Sequence, residues 1–154
     1  MQQVYEWISV IGSSRLTESE YSQAVEVGKI LGSRGKKLVT GGLGGVMEAV
    51  AKGASLEGAT VIGLLPGETR ASANPYVIPI PTGLGEARNL LVVRAGDLII
   101  AMFGGYGTLS ELAFAMKLNK PIIAYRSWNE VLSNYSRSKV FSRFDEFTEY
   151  LQYI

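Results

Sequence analysis

The chain has 154 residues, 47% of them hydrophobic, a formal net charge of +1, and neither cysteine nor histidine. That length and composition fit one globular domain with a sizeable core, and the near-neutral balance, without runs of like charge, argues against a nucleic-acid partner. Without cysteine or histidine there are no disulfides, no thiolate or imidazole metal sites, no Cys nucleophile and no Ser-His-Asp triad; acid–base chemistry falls to Asp, Glu, Lys or Tyr.

No apolar run approaches the length of a membrane span, and the N-terminus lacks a basic-then-apolar leader, so a cytoplasmic protein with no membrane partner is expected. Val4 to Ile11 predicts a first strand, closed by Gly12-Ser13-Ser14. Glu18 to Leu31 carries apolar or small residues at helical spacing, with Thr17 as the expected N-cap and Gly32 and Gly35 as stops. Lys37 to Thr40 predicts a second strand. It runs into Gly41-Gly42-Leu43-Gly44-Gly45 and a small-residue helix with Val46, Met47, Val50 and Ala51 available for packing.

Thr60 to Leu65 predicts a third strand. The polar segment 66–75 that follows is long for a strand-to-helix connection and reads either as a lid or specificity loop or as mobile surface. Tyr76 to Ile80 predicts a short strand and Leu84 to Ala95 a helix. Arg88 and Arg94, six positions apart, are separated by about 600° of helical rotation, so only one of them can face a site.

Asp97 to Phe103 is an apolar run too short for an amphipathic helix and predicts a strand buried on both faces. Gly104, Gly105 and Gly107 follow, and Thr108 to Leu118 predicts a helix. Lys120 to Tyr125 predicts another strand, Trp128 to Tyr135 a short segment, Val140-Phe141 an edge strand, and Phe144 to Leu151 an amphipathic last helix.

Strands alternating with helices predict α/β architecture. The expected fold is a single-domain Rossmann-like, doubly wound parallel sheet over residues 1–154, with helices on both faces. In such sheets ligands bind beyond the carboxyl ends of the strands, where the winding reverses. Both glycine turns lie at such ends. A strand, a glycine turn and a helix N-terminus bring backbone N–H groups and the positive end of the helix dipole close to a ligand, most often a phosphate. Two local alternatives stay open. Thr108-x-x-Glu111 also has the spacing of a helix capping box, and the Gly41–Gly45 glycines also suit close helix–sheet packing.

The segment Arg88 to Glu111 resembles the signature of the Lonely Guy (LOG) family: an arginine, a spacer, an aspartate before the strand, then glycine-glycine-x-glycine-threonine-x-x-glutamate. Gly41-Gly42-x-x-Gly45-x-Met47 resembles the family's first glycine turn. The resemblance implies a Rossmann-like homodimer or homotetramer acting on a small phosphorylated ligand, without a required cofactor or metal. Members of known activity are phosphoribohydrolases that split a nucleoside monophosphate into free base and ribose 5-phosphate. Carried over by position, Arg88 and Glu111 take the catalytic roles. Gly12, Ser13, Gly41, Gly42, Gly45, Met47, Gly104, Gly105, Gly107 and Thr108 form the ligand and phosphate site. Two positions depart from the pattern: Asn89 replaces a lysine and Phe103 a proline. These departures resemble the molybdenum-cofactor carrier subgroup, which implies binding of a nucleotide or molybdenum cofactor, with phosphoribohydrolase activity as the alternative.

Overall fold

Apolar runs of four to six residues become strands, and the helical-period segments between them become the covering layers. The computed structural model describes residues 3–154, so residues 1 and 2 of the expected 1–154 domain lie outside the described residues. The strands are β1 (Trp7–Gly12), β2 (Lys37–Thr40), β3 (Val61–Leu65), β4 (Ile78–Pro81), β5 (Leu98–Met102), β6 (Ile122–Tyr125) and β7 (Ser138–Phe141). The helices are α1 (Glu18–Ser33), α2 (Val46–Leu56), α3 (Arg88–Ala95), α4 (Tyr106–Lys117), α5 (Asn129–Leu132) and α6 (Phe144–Leu151).

All seven strands form one sheet in the order β4-β3-β2-β1-β5-β6-β7, and every pairing is parallel. The chain winds outward from β1 to β4, returns to place β5 beside β1, and winds the other way to β7. The doubly wound expectation therefore holds, with the reversal between β1 and β5. Alternation along the strands divides the core. Ile8, Val10, Leu98, Ile100 and Met102 pack with α1, α2 and α6, whereas Ile99 and Ala101 pack with α3, α4 and α5. Burying such side chains contributes about 1.5–3 kcal/mol each, and it is what fixes β1 and β5 side by side under the site.

Four local expectations are corrected. β1 starts at Trp7, not Val4, because Val4 is 81% exposed and has no core to join. The expected Leu84–Ala95 helix is a 3-10 turn, Gly85–Ala87, followed by α3, because Gly85 takes a positive φ that an α-helix does not allow. Helix α4 begins at Tyr106, two residues before Thr108. Gly105 is its N-cap and its carbonyl accepts from Leu109 N at 3.0 Å, so Thr108 is the third helical residue. The Thr108–Glu111 capping box therefore does not form, and Glu111 turns into the protein. The Thr17 box does form, with reciprocal bonds between Thr17 and Glu20.

Segment 66–75 is fastened at both ends. Asn74 is buried, its N–H donates to Gly42 O at 2.9 Å and its amide to Leu43 O at 2.8 Å. Gly85 N–H donates to Pro66 O at 2.9 Å. Residues between these anchors, Gly67 to Ser72, are exposed.

Candidate functional site

Beyond the carboxyl ends of β1, β2, β3 and β5 lies a cavity of about 530 Å³ at the reversal point of the sheet. Of the residues expected at a site, Gly12, Ser13, Met47, Arg88, Gly105, Gly107, Thr108 and Glu111 line it. Gly41, Gly42, Gly45 and Gly104 stand behind the wall. A β-carbon on Gly41 would lie 2.8 Å from Arg88 Nη2, and one on Gly104 would lie 2.2 Å from Thr108 Oγ1. Gly41 thus leaves room for the Arg88 guanidinium. The lining also holds Arg15, Leu43, Pro66, Glu86, Asn89 and Tyr106. Of these, Arg15 carried a usable sequence signal, a cation directly after the Gly12-Ser13-Ser14 turn.

Helix α4 supplies the polar floor. The first N–H groups of any α-helix have no intrahelical acceptor, here those of Tyr106, Gly107 and Thr108, and they carry the positive end of the dipole. The turn before them is fixed by an unusual backbone: Phe103 has φ +57° and Gly104 φ +111°. Proline, locked near −65°, cannot occupy the Phe103 position in this conformation. The Phe103 carbonyl accepts from Ser127 Oγ, and the Gly105 carbonyl accepts from the Trp128 indole N–H at 3.1 Å.

Helix α3 presents Arg88 at its first residue. The side chain is 9% exposed; Nη1 donates to Asn89 Oδ1, Nη2 to Gly41 O at 3.4 Å, and Nε is buried with no acceptor. Asn89 is in turn held by Ser110: its amide donates to Ser110 Oγ at 3.1 Å, and Ser110 donates to Gly107 O at 2.8 Å. Where the resembled family carries a lysine, this chain carries a neutral link between the arginine and the α4 turn. Arg94 is exposed on the far side, as the rotation argument required.

Glu111 is 8% exposed and makes no hydrogen bond or ion pair among the described residues. Burial pushes its carboxyl pKa up to about 7, against the opposing pull of Arg88. Burial likewise lowers the Arg88 pKa, while Glu111 and Glu86 raise it. The two groups feel each other's charge without closing an ion pair. An open helix N-terminus, an arginine with an orphaned donor and a carboxyl poised near neutrality can together hold an anion and exchange a proton beside it.

With this geometry in hand, comparisons with known proteins add the family. The family model described as the SLOG cluster4 family matches residues 6–150. An uncharacterised protein of Archaeoglobus fulgidus is 41% identical over 119 residues, covering 77% of this chain and 79% of that protein. The molybdenum cofactor binding protein of Rippkaea orientalis superposes with a TM-score of 0.86 at 32% identity, covering 98% of each chain. The molybdenum cofactor carrier protein of Chlamydomonas reinhardtii superposes at 0.82 with 32% identity, covering 94% of this chain and 96% of its own. The chain belongs to the SLOG cluster4 family, related to LOG, and shares its fold with molybdenum cofactor carrier proteins.

Proposed function

We propose that this protein binds a phosphorylated nucleotide-like ligand, a nucleoside monophosphate or a molybdopterin-type cofactor, with the phosphate at the turn that opens α4. The observation that carries this reading is the buried Arg88 Nε without an acceptor, on the same cavity wall as the Glu111 carboxyl and the N–H groups that open α4. Leaving such a donor unpaired costs about 1–3 kcal/mol, and a phosphate in the cavity would offer acceptors to the guanidinium and to the N–H groups. The cavity volume of about 530 Å³ lies in the range of small-molecule and cofactor sites. A molybdopterin would bring its phosphate to Arg88 and the N–H groups of Tyr106, Gly107 and Thr108; the metal chemistry is the cargo's own. The test is calorimetric titration with ribose 5-phosphate and GMP. Saturable binding that weakens at least tenfold in Arg88→Ala is expected, and binding that is absent or indifferent to Arg88 refutes the reading.

A second reading, nucleoside-monophosphate phosphoribohydrolase, draws support from Glu111. A carboxyl near pKa 7 suits an acid–base group at neutral pH, and its ionised form can orient water or stabilise a ribosyl cation. The cation that the resembled lysine would add is missing at Asn89, which favours binding over turnover. Chromatography for free base, released from a panel that includes isopentenyl-adenine nucleotide, decides between the two. Loss of release in both Arg88→Ala and Glu111→Ala would establish the enzyme.

From the resemblance to LOG proteins and the composition we further propose a cytoplasmic homodimer or homotetramer without nucleic-acid or membrane partners. No described helix is long and apolar enough to cross a membrane. Exposed Ile80 lines an apolar groove with Trp7, Val39, Ile62, Leu64 and Ala95, a face that a second copy would cover. Light scattering coupled to gel filtration measures the assembly.

A further inference from the structure

A second cavity, of about 430 Å³, opens beyond β6, and it shares an aromatic wall with the first. Trp128 lines the second cavity and Tyr106 the first, with ring centroids 6.2 Å apart. Tyr106 is 84% exposed although it is the first residue of α4, beside the proposed phosphate site. A large ring left in water at a cavity mouth is a candidate contact surface.

The backbone is bent to put Trp128 there. Arg126 has φ +49° and Trp128 φ +51°, left-handed conformations that non-glycine residues avoid. Three bonds over-determine them: Arg126 N–H to Phe141 O at 3.0 Å, Ser127 N–H to Asn129 Oδ1 at 3.1 Å, and the Asn129 amide to Phe141 O at 3.0 Å. Backbone strain held by its surroundings in this way collects at ligand clamps. Core packing accounts for part of it, since Trp128 is half-buried against the cluster of α3, α4 and α5, while Arg126 is exposed. What the bend achieves is an indole fastened by its N–H to Gly105 O, one residue from the free N–H groups of α4. With the N–H occupied, the ring has only its faces and carbon edge to offer.

We propose that Tyr106 and Trp128 form a stacking shelf for the planar ring, nucleobase or pterin, of the ligand whose phosphate sits at the α4 turn. This rests on the phosphate-site reading above. Every base and pterin has a π-face, so the shelf selects for a flat heteroaromatic ring rather than for one base. The substrate class becomes a ring-bearing phosphate, as distinct from a sugar phosphate.

Trp7 and Trp128 are the two tryptophans, so in a Trp7→Phe background the emission reports Trp128 alone. The full chain is titrated with GMP, AMP and ribose 5-phosphate, with Tyr106→Ala beside it. The Tyr106 side chain is exposed, makes no hydrogen bond among the described residues and touches the Trp128 ring, so its removal leaves the fold intact. Either nucleotide should quench Trp128 emission and bind about tenfold more tightly than ribose 5-phosphate, and Tyr106→Ala, which keeps the backbone N–H at the phosphate, should erase that margin by weakening the nucleotides more than the sugar phosphate. If ribose 5-phosphate binds and the nucleotides bind no more tightly, or if Tyr106→Ala weakens all three alike, the shelf is wrong and the phosphate site stands. If none of the three binds, the phosphate reading falls and the shelf with it.

Discussion

At the turn after β2, a β-carbon on Gly41, Gly42 or Gly45 would collide with the protein; at the turn after β5, one on Gly105 or Gly107 would meet nothing within 4 Å. The two turns look alike in sequence, each a glycine cluster between a strand and a helix. The first is closed by packing. Gly45 takes φ +65° under the Ser13 carbonyl, which accepts the first N–H of α2, from Val46 at 2.9 Å. The second is closed by Thr108 at Gly104 but open at Gly105 and Gly107, and its carbonyls at Phe103 and Gly105 are tied back to Ser127 and Trp128. Glycine thus serves two separable needs, close approach of protein to protein and close approach of ligand to protein. At the first turn the protein itself takes the leading helix N–H, that of Val46, whereas the N–H groups at the start of α4 border the cavity.

Gly45→Ala attacks the closed turn and should have the largest effect. A β-carbon would stand 2.1 Å from Ser13 O at a positive φ. Left-handed strain plus overpacking predicts a loss of about 2–5 kcal/mol, read as a lowered urea midpoint. A variant as stable as wild type would show that the turn is not closed.

Glu111→Gln acts on the open side. Its folded pKa of about 7 lies above the ordinary 4.5, so the folded state holds a proton that the unfolded state has already released. The wild type should therefore lose up to about 3 kcal/mol of stability as pH rises from 4.5 to 7 and then level off. The glutamine variant, which does not titrate, should be more stable than wild type at pH 8, with the difference closing towards pH 4.5. Parallel urea midpoints across that range would place Glu111 in a better solvated setting than the structure gives it.

Arg88 touches both turns, by Nη2 at Gly41 O and through Asn89 and Ser110 at Gly107 O. Arg88→Ala should reduce ribose 5-phosphate affinity by about tenfold or more, the worth of a charge-assisted contact of about 1.5–3 kcal/mol. Gly107→Ala separates the turns by sign. Inside α4 with open space around it, alanine should stabilise the helix by about 0.5–1 kcal/mol while its methyl crowds the ligand and weakens binding. The same glycine-to-alanine change would thus lower stability at Gly45 and raise it at Gly107.

Much of this was legible in the chain, and the reason is physical. The apolar run at Leu98–Met102 and the helical period at Phe144–Leu151 depend on nearest neighbours along the chain, which sequence records. Arg88 and Glu111 could be singled out because their spacing to the glycine cluster resembles a known pattern, and the fold brings both to one cavity wall. The entry of α4 was misplaced because a capping-box spacing is satisfied equally by a residue inside the helix. The positive φ of Phe103 that starts the helix early leaves no mark on a phenylalanine. Which glycine cluster is closed depends on Ser13 and Leu65, and the hold on Gly105 comes from Trp128, 23 residues away. Such contacts exist only once the sheet has assembled.

Asn89 joins the open turn to the arginine. Asn89→Ala removes the acceptor for Arg88 Nη1 and the bond to Ser110 together, yet leaves the charge of Arg88 in place. Ribose 5-phosphate affinity should fall by about threefold to tenfold, less than in Arg88→Ala, because the lost bond orients the guanidinium while the charge itself stays. Ser110→Ala, which cuts only the connection to Gly107, should cost less than that. If Asn89 acts through Arg88, removing both should weaken binding no further than Arg88→Ala alone, because the second loss has nothing left to orient. Full additivity in that double-mutant cycle would instead make Asn89 a direct ligand contact. The neutral residue at the resembled lysine position would then be reading the ligand itself, rather than aiming the cation beside it.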